Sequence, residues 1–215
     1  MSTPLRIDFV SDVSCPWCVV GLRALSEALQ ELGDEVHAEI HFQPFELNPQ
    51  MPPAGQNLGE HIHEKYGSSP AQSEANRANI RARGAELGFA FNFGADSRIY
   101  NTFDAHRLLH WAEEEGKQQA LKEALFTAYF TDQRNPSDPL TLAAIAEQVG
   151  LDRHRAEAIL ESDEYTADVR EIEQAWLNRG VNSVPTVVFN EKYAITGGQP
   201  AAAFAGAIRQ IISES

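Results

Sequence analysis

The chain has 215 residues, 43% hydrophobic and 22% charged, enough to bury a substantial core without disulfide or metal staples. Its 31 acidic residues against 17 basic give a formal net charge of −14, which excludes nucleic acid and anionic membrane surfaces as partners because both would repel it. No apolar run approaches the ~18 residues that span a bilayer, and the opening Met-Ser-Thr-Pro-Leu-Arg lacks the basic and apolar regions of a secretory signal. The expected location is therefore the cytoplasm, where thiols are kept reduced.

Leu5, Ile7 and Phe9 alternate with Arg6 and Asp8 ahead of Val10, the period-two pattern of a strand over 5–12. Residues 17–32 carry Val20, Leu22, Leu25, Ala28, Leu29 and Leu32 near helical spacing, and Gly33 stands where a C-terminal glycine cap belongs. Val36, Ala38, Ile40 and Phe42 predict a second strand over 36–45, so the chain opens with a β-α-β unit. A proline-rich loop follows over 46–57. From there to about 162 the patterns are helical, with starts at Ser69-Pro70-Ala71-Gln72 and at Thr102, and with apolar stripes over 119–130 and 140–150. A further helix spans about 163–180. Sheet signals then return over 186–190 and 193–196 as a hairpin turning around Glu191 and Lys192. Gly197, Gly198 and Pro200 lead into a last helix carrying Phe204, Ile208, Ile211 and Ile212. The expected organisation is one α/β domain made of 1–57 and 163–215, interrupted by a helical insertion over 58–162 that forms a lid.

Both cysteines of the chain fall in one turn, Ser14-Cys15-Pro16-Trp17-Cys18, between the first strand and the first helix. Half a metal site, a local structural disulfide and a redox-active dithiol are the three physical readings. Zinc needs about four ligands, which His61 and His63 could complete, but the long separation does not match closed zinc sites. A purely structural disulfide is disfavoured in a reducing compartment. For a dithiol the position is apt. Pro16 suits the first helical position, which puts Cys15 at the N-cap and Cys18 three residues on. At an N-cap the Cys15 sulfur would face free first-turn N–H groups and the positive helix end, which predicts a thiol pKa below ~8.5. Cys15 is then the nucleophile and Cys18 the less exposed resolving thiol. Asp8 and Asp12 are candidates for proton transfer, the alternative being ordinary solvated carboxylates. Arg77, Arg81 and Arg83 read as a solvated helix face.

The CPWC turn after a strand, the helical insertion and the late Val184-Pro185-Thr186 followed by Gly-Gly-Gln-Pro resemble the DsbA-like thioredoxin-fold oxidoreductases. "VSDVSCPWC", "PFELNP", "NTFDAHRL" and "SVPTVVF" are more closely similar to the FrnE-like branch of cytoplasmic dithiol-disulfide oxidoreductases. The resemblance covers nearly the whole chain. It implies an α/β thioredoxin-like fold with an inserted all-helical domain, and a protein disulfide isomerase-like activity that reduces, forms or shuffles disulfides. It implies that Cys15 attacks, Cys18 resolves, and Pro185 is cis and packed beside the pair. Pro16, Trp17 and the Val184 backbone would contact substrate, with Val184 pairing an extended segment. The expected partners are disulfide- or thiol-containing proteins. No metal or cofactor is expected beyond the Cys15–Cys18 redox disulfide, with a low-molecular-weight thiol as reductant. Kappa-class glutathione transferases and hydroxychromene-carboxylate isomerases share the scaffold and offer the alternative activity, but typically lack the resolving cysteine that Cys18 supplies here.

Overall fold

The computed structural model describes residues 2–214. Strands β1 (Thr3–Ser11), β2 (Val36–Pro44), β5 (Thr186–Phe189) and β6 (Tyr193–Thr196) form one sheet in the order β2-β1-β5-β6. The crossover through α1 (Pro16–Leu32) makes β1 and β2 parallel, with Ile7 opposite Ile40. β5 returns antiparallel to β1, with Phe9 opposite Val187, and β6 closes the sheet as the hairpin partner of β5. The hairpin turns where Asn190 and Glu191 both take positive φ. This is a DsbA-like thioredoxin fold.

Alternation along β1 decides which layer each side chain enters. Leu5, Ile7 and Phe9 share a core with Leu22 and Leu25 of α1 and with Phe204 and Ile208 of α9 (Ala201–Ser213). Val10 and Val188 instead meet Trp176 of α8 (Thr166–Asn178).

Between β2 and α8 lie α2 (Leu58–Tyr66), α3 (Pro70–Glu86), α4 (Phe103–Glu114), α5 (Gln118–Phe126), α6 (Pro139–Gln148) and α7 (Arg153–Leu160). Helix α3 starts with a full capping box, Ser69 and Gln72 each bonding the other's backbone. Helix α7 starts at the Asp152 cap; its eight residues have too few turns for an apolar stripe to mark it in the sequence. The segment also holds a two-stranded ribbon, β3 (Gln56–Asn57) with β4 (Arg98–Ile99), two residues per strand and so without a readable period.

The stripe expected to continue through residue 130 breaks differently. Helix α5 stops at Phe126 and passes into a π-turn over Thr127–Thr131. That extra residue per turn swings Tyr129 and Phe130 toward the first core, while Leu121 and Leu125 stay in a second core with Leu108, Trp111 and Ile145. Val13 belongs to that helical core, whereas Cys15 and Cys18 belong to the sheet core. The turn carrying both cysteines lies on the seam between the two.

Candidate active site at the CPWC turn

Cys15 occupies the N-cap of α1, Pro16 the first helical position, and Cys18 the third. The Cys15 amide donates to the Asp12 carbonyl at 3.2 Å and the Cys18 amide to the Cys15 carbonyl at 3.1 Å, which fixes the turn. Both cysteines are free thiols, 4% and 0% exposed respectively. The Cys15 side chain makes no capping bond to the helix. Its thiol turns to the Val184 carbonyl instead, 3.6 Å away, so the expected cap geometry is replaced by a contact across the fold. Cys18 sits behind it. Burial first, then the hydrogen bond and charge of Cys15, push the Cys18 thiol well above its ordinary pKa, and Lys122 opposes them.

The Val184–Pro185 bond is cis. The Gly197 amide donates to the Pro185 carbonyl at 2.8 Å, which ties this loop to the turn after β6. Two glycines let it approach α1. A Cβ on Gly21 would stand 3.0 Å from Pro185 Cγ, and one on Gly198 would stand 3.1 Å from the Trp17 carbonyl. Nothing in the helical stripe marks Gly21 as such a contact.

Asp8 and Asp12 are both buried, which overturns the solvated alternative. They are not equivalent. Asp8 binds Arg6 through both carboxylate oxygens and accepts from Gln43 at 2.7 Å, and neither partner belongs to the cysteine turn. Asp12 accepts from the Leu47 amide at 2.7 Å and from the Ser14 hydroxyl at 3.1 Å, with His106 Nε2 3.5 Å away. Burial acts against its charge, yet His106, the Leu47 amide and Thr102 outweigh burial and hold Asp12 below the usual carboxylate range. A carboxylate so held is a poor proton carrier, and its bonds make it an anchor for the turn. Thr102, expected as a helix cap, makes no capping bond; Asn101 accepts from the Phe103 amide in its place.

Lys122 was invisible in the sequence. It is 1% exposed on α5, with its ammonium 5.1 Å from the Phe126 ring centre. Burial lowers its pKa to about 8, opposed by charges on Cys18, Asp12 and Cys15 in that order. An unmarked lysine beside Leu121 reads as surface. Only the packing of α5 onto β2 puts it inside, within reach of the Cys18, Asp12 and Cys15 charges.

A cavity of about 500 Å³ opens in front of Cys15. One wall is Ser14, Cys15, Pro16, Trp17 and Val184. The facing wall is α2 and α3, and the π-turn supplies Tyr129 and Phe130. Lys65 holds α2 down by donating to the Leu47 carbonyl and Asn48 Oδ1, both at 2.7 Å. His61 lines this cavity and its Nδ1 donates to Gln56 Oε1, 2.8 Å away, while His63 lies by the Ser68 carbonyl at 3.1 Å. Burial lowers the His61 pKa. Among the described residues no group of three or more His, Cys, Asp or Glu side chains could hold a metal. Arg77 and Arg81 both pair with Glu74, and Arg83 pairs with Glu86. Arg77 also reaches the cavity.

A thioredoxin-like sheet, two thiols in the first turn of α1 and a cis-proline loop against them define the class. The model of the DSBA-like thioredoxin domain matches residues 6–209, and the chain belongs to that family. It is similar to the crystal structure of a probable DsbA oxidoreductase from Streptomyces coelicolor, 33% identical with a TM-score of 0.93, covering 98% of this chain and 91% of that one. The uncharacterized protein YwbO of Bacillus subtilis (strain 168) is 28% identical over 188 residues, 87% of this chain and 88% of that protein. The cytosolic disulfide reductase DsbM of Pseudomonas aeruginosa, crystallised with GSH, shares the fold at 15% identity and a TM-score of 0.65, covering 96% of this chain and 98% of that one. Among the described residues no helix is long and apolar enough to cross a membrane.

Proposed function

We propose that the chain is a cytoplasmic thiol–disulfide oxidoreductase in which Cys15 attacks and Cys18 resolves. The carrying observation is the pair itself: two free thiols at the N-cap and third position of one helix, with only Cys15 at the cavity wall. The Cys15 thiolate attacks a disulfide RSSR′, forming a Cys15–S–S–R mixed disulfide and releasing R′S⁻. The Cys15 sulfur is then neutral, so two of the effects that hold the Cys18 proton, its hydrogen bond and charge, disappear. Burial remains, opposed by Lys122. With its pKa lowered to about 8, Lys122 is mainly an ammonium at neutral pH, whose charge favours the Cys18 thiolate, and its neutral fraction, growing as pH nears 8, is the base that takes up the proton. The Cys18 thiolate attacks Cys15 Sγ, releases RS⁻ and leaves the Cys15–Cys18 disulfide. A low-molecular-weight thiol restores the dithiol in two exchanges. Shuffling of disulfides follows the same first step without the second.

Equilibration with glutathione redox buffers, followed by thiol trapping, tests this directly. Cys15 and Cys18 should oxidise together as a single two-electron couple. Two thiols that stay free through oxidising buffers would sink the reading. A Cys18→Ser variant with full turnover would favour the transferase or isomerase alternative.

A further inference from the structure

The cavity in front of Cys15 points to a substrate, and the inference rests on the thiol–disulfide reading above. We infer that the site takes a compact low-molecular-weight disulfide with an apolar body, not an extended protein strand.

Size is the first argument. About 500 Å³ lies within the roughly 300–1,000 Å³ of small-molecule sites. A bound strand needs an open trough, because it advances about 3.3 Å per residue and must enter and leave. Here α2 and α3 stand opposite the dithiol turn, and the two Lys65 bonds hold α2 against the loop after β2.

Wall chemistry is the second. Trp17, Ile62, Ile80, Phe93, Tyr129 and Phe130 give it an apolar surface. A strand would bring backbone N–H and C=O groups that need partners. The backbone carbonyl expected to pair with it, that of Val184, accepts from the Cys15 thiol in the resting dithiol and is released only when Cys15 ionises.

Charge is the third. The chain has 31 carboxylate side chains, yet none lines this cavity. Arg77 is the one formally charged residue among those described there. Arg77 is paired with Glu74, so the wall adds no strong field of its own, but reduction expels a thiolate, which a wall free of carboxylates does not repel. In one turnover the dithiol gives two electrons to the substrate disulfide. One S–S bond breaks, the Cys15–Cys18 bond forms, and two thiolates leave.

The test uses the pre-reduced full chain in single turnovers with 4,4′-dithiodipyridine, oxidised glutathione and insulin, each rate divided by that of free dithiothreitol with the same disulfide. The neutral aryl disulfide should exceed insulin by about tenfold or more on this scale. Ile62→Trp, which fills the cavity from half-exposed α2, should slow the aryl disulfide at least about tenfold more than it slows iodoacetamide at Cys15. Leu58→Trp, on the same helix, serves if the first variant misfolds. Insulin reacting faster than the aryl disulfide, with both Trp variants indifferent, would overturn the small-substrate assignment and leave the redox reading standing. No reaction with any disulfide would overturn both.

Discussion

The wall in front of Cys15 is built from Ile62, Phe93 and Phe130 and carries one formal charge, whereas the protein behind Cys18 keeps Lys122, Asp12 and His106 away from water. In the proposed mechanism, shape and apolar surface in front choose what reaches the sulfur, and ionisable groups behind hold the turn and handle the proton of the second thiol. The rear layer is costly in stability, since a buried ammonium and a buried carboxylate each lose hydration. The front has no such cost. On that proposal the same turn joins a region for recognition to one for chemistry.

The largest break in this contrast is Cys18→Ser. It leaves the front intact and removes the resolving group, so mixed disulfides on Cys15 should accumulate and turnover should stop, read by mass spectrometry after reaction with one equivalent of disulfide. Cys15→Ser should trap nothing. Equal trapping by both variants would dissolve the assigned roles.

Asp12→Asn comes next. Removing one partner of a buried pair costs about 3–5 kcal/mol. Because the folded-state pKa of Asp12 is depressed, its contribution is present above the unfolded value of 3.8 and is lost as pH falls through the depressed folded value. Denaturant midpoints of wild type and variant should thus differ widely at pH 7 and converge near the acid limit. A difference independent of pH would mean that the carboxylate charge is not what anchors the turn.

Lys122→Met should act in opposite directions on stability and chemistry. A lysine lowered from 10.5 to about 8 costs the fold roughly 3 kcal/mol while it is charged. The unfolded chain binds more protons between those two values, so that cost is full below pH 8 and fades as pH rises to 10.5. The variant should be more stable than wild type at pH 7, with the advantage shrinking above pH 8. Resolution of a preformed mixed disulfide should slow about tenfold or more and lose its pH dependence near 8. Unchanged resolution kinetics would reduce Lys122 to a packing residue.

Glu173→Gln probes the edge of the rear layer and should have the smallest effect. Arg170 Nη1 serves both Glu46 and Glu173, one cation for two carboxylates, and the other oxygen of each lacks a hydrogen-bond partner. Burial, then the Glu46 charge, raises the Glu173 pKa despite His106 and Arg170. A raised carboxyl loses stability as pH climbs from 4.5 through the folded value. The amide should therefore stabilise the protein by on the order of 1 kcal/mol at pH 8 and by nothing at pH 4. Thermal melts at the two pH values decide it.

Much of the frame was legible from neighbours in sequence. The alternation of Leu5, Ile7 and Phe9 and the stripe from Val20 to Leu32 mark β1 and α1, because each depends on one element's own period. Pro16 fixed the helix start, and with it the placing of Cys15 at the N-cap and Cys18 a turn inside, since proline at the first position is a local steric matter. What the Cys15 sulfur touches was not local. Its partner is 169 residues away at Val184, brought there by the pairing of β5 with β1 and by the room that Gly21 leaves for Pro185. The burial of Asp8 and Asp12, the inward turn of Lys122 and the swing of Tyr129 and Phe130 into the cavity likewise follow from which layers close on each residue. Periodicity assigns a residue to a face. Whether that face meets water, a thiol or a second core is decided only when distant segments pack, because burial, and with it every shifted proton affinity here, belongs to the assembled fold.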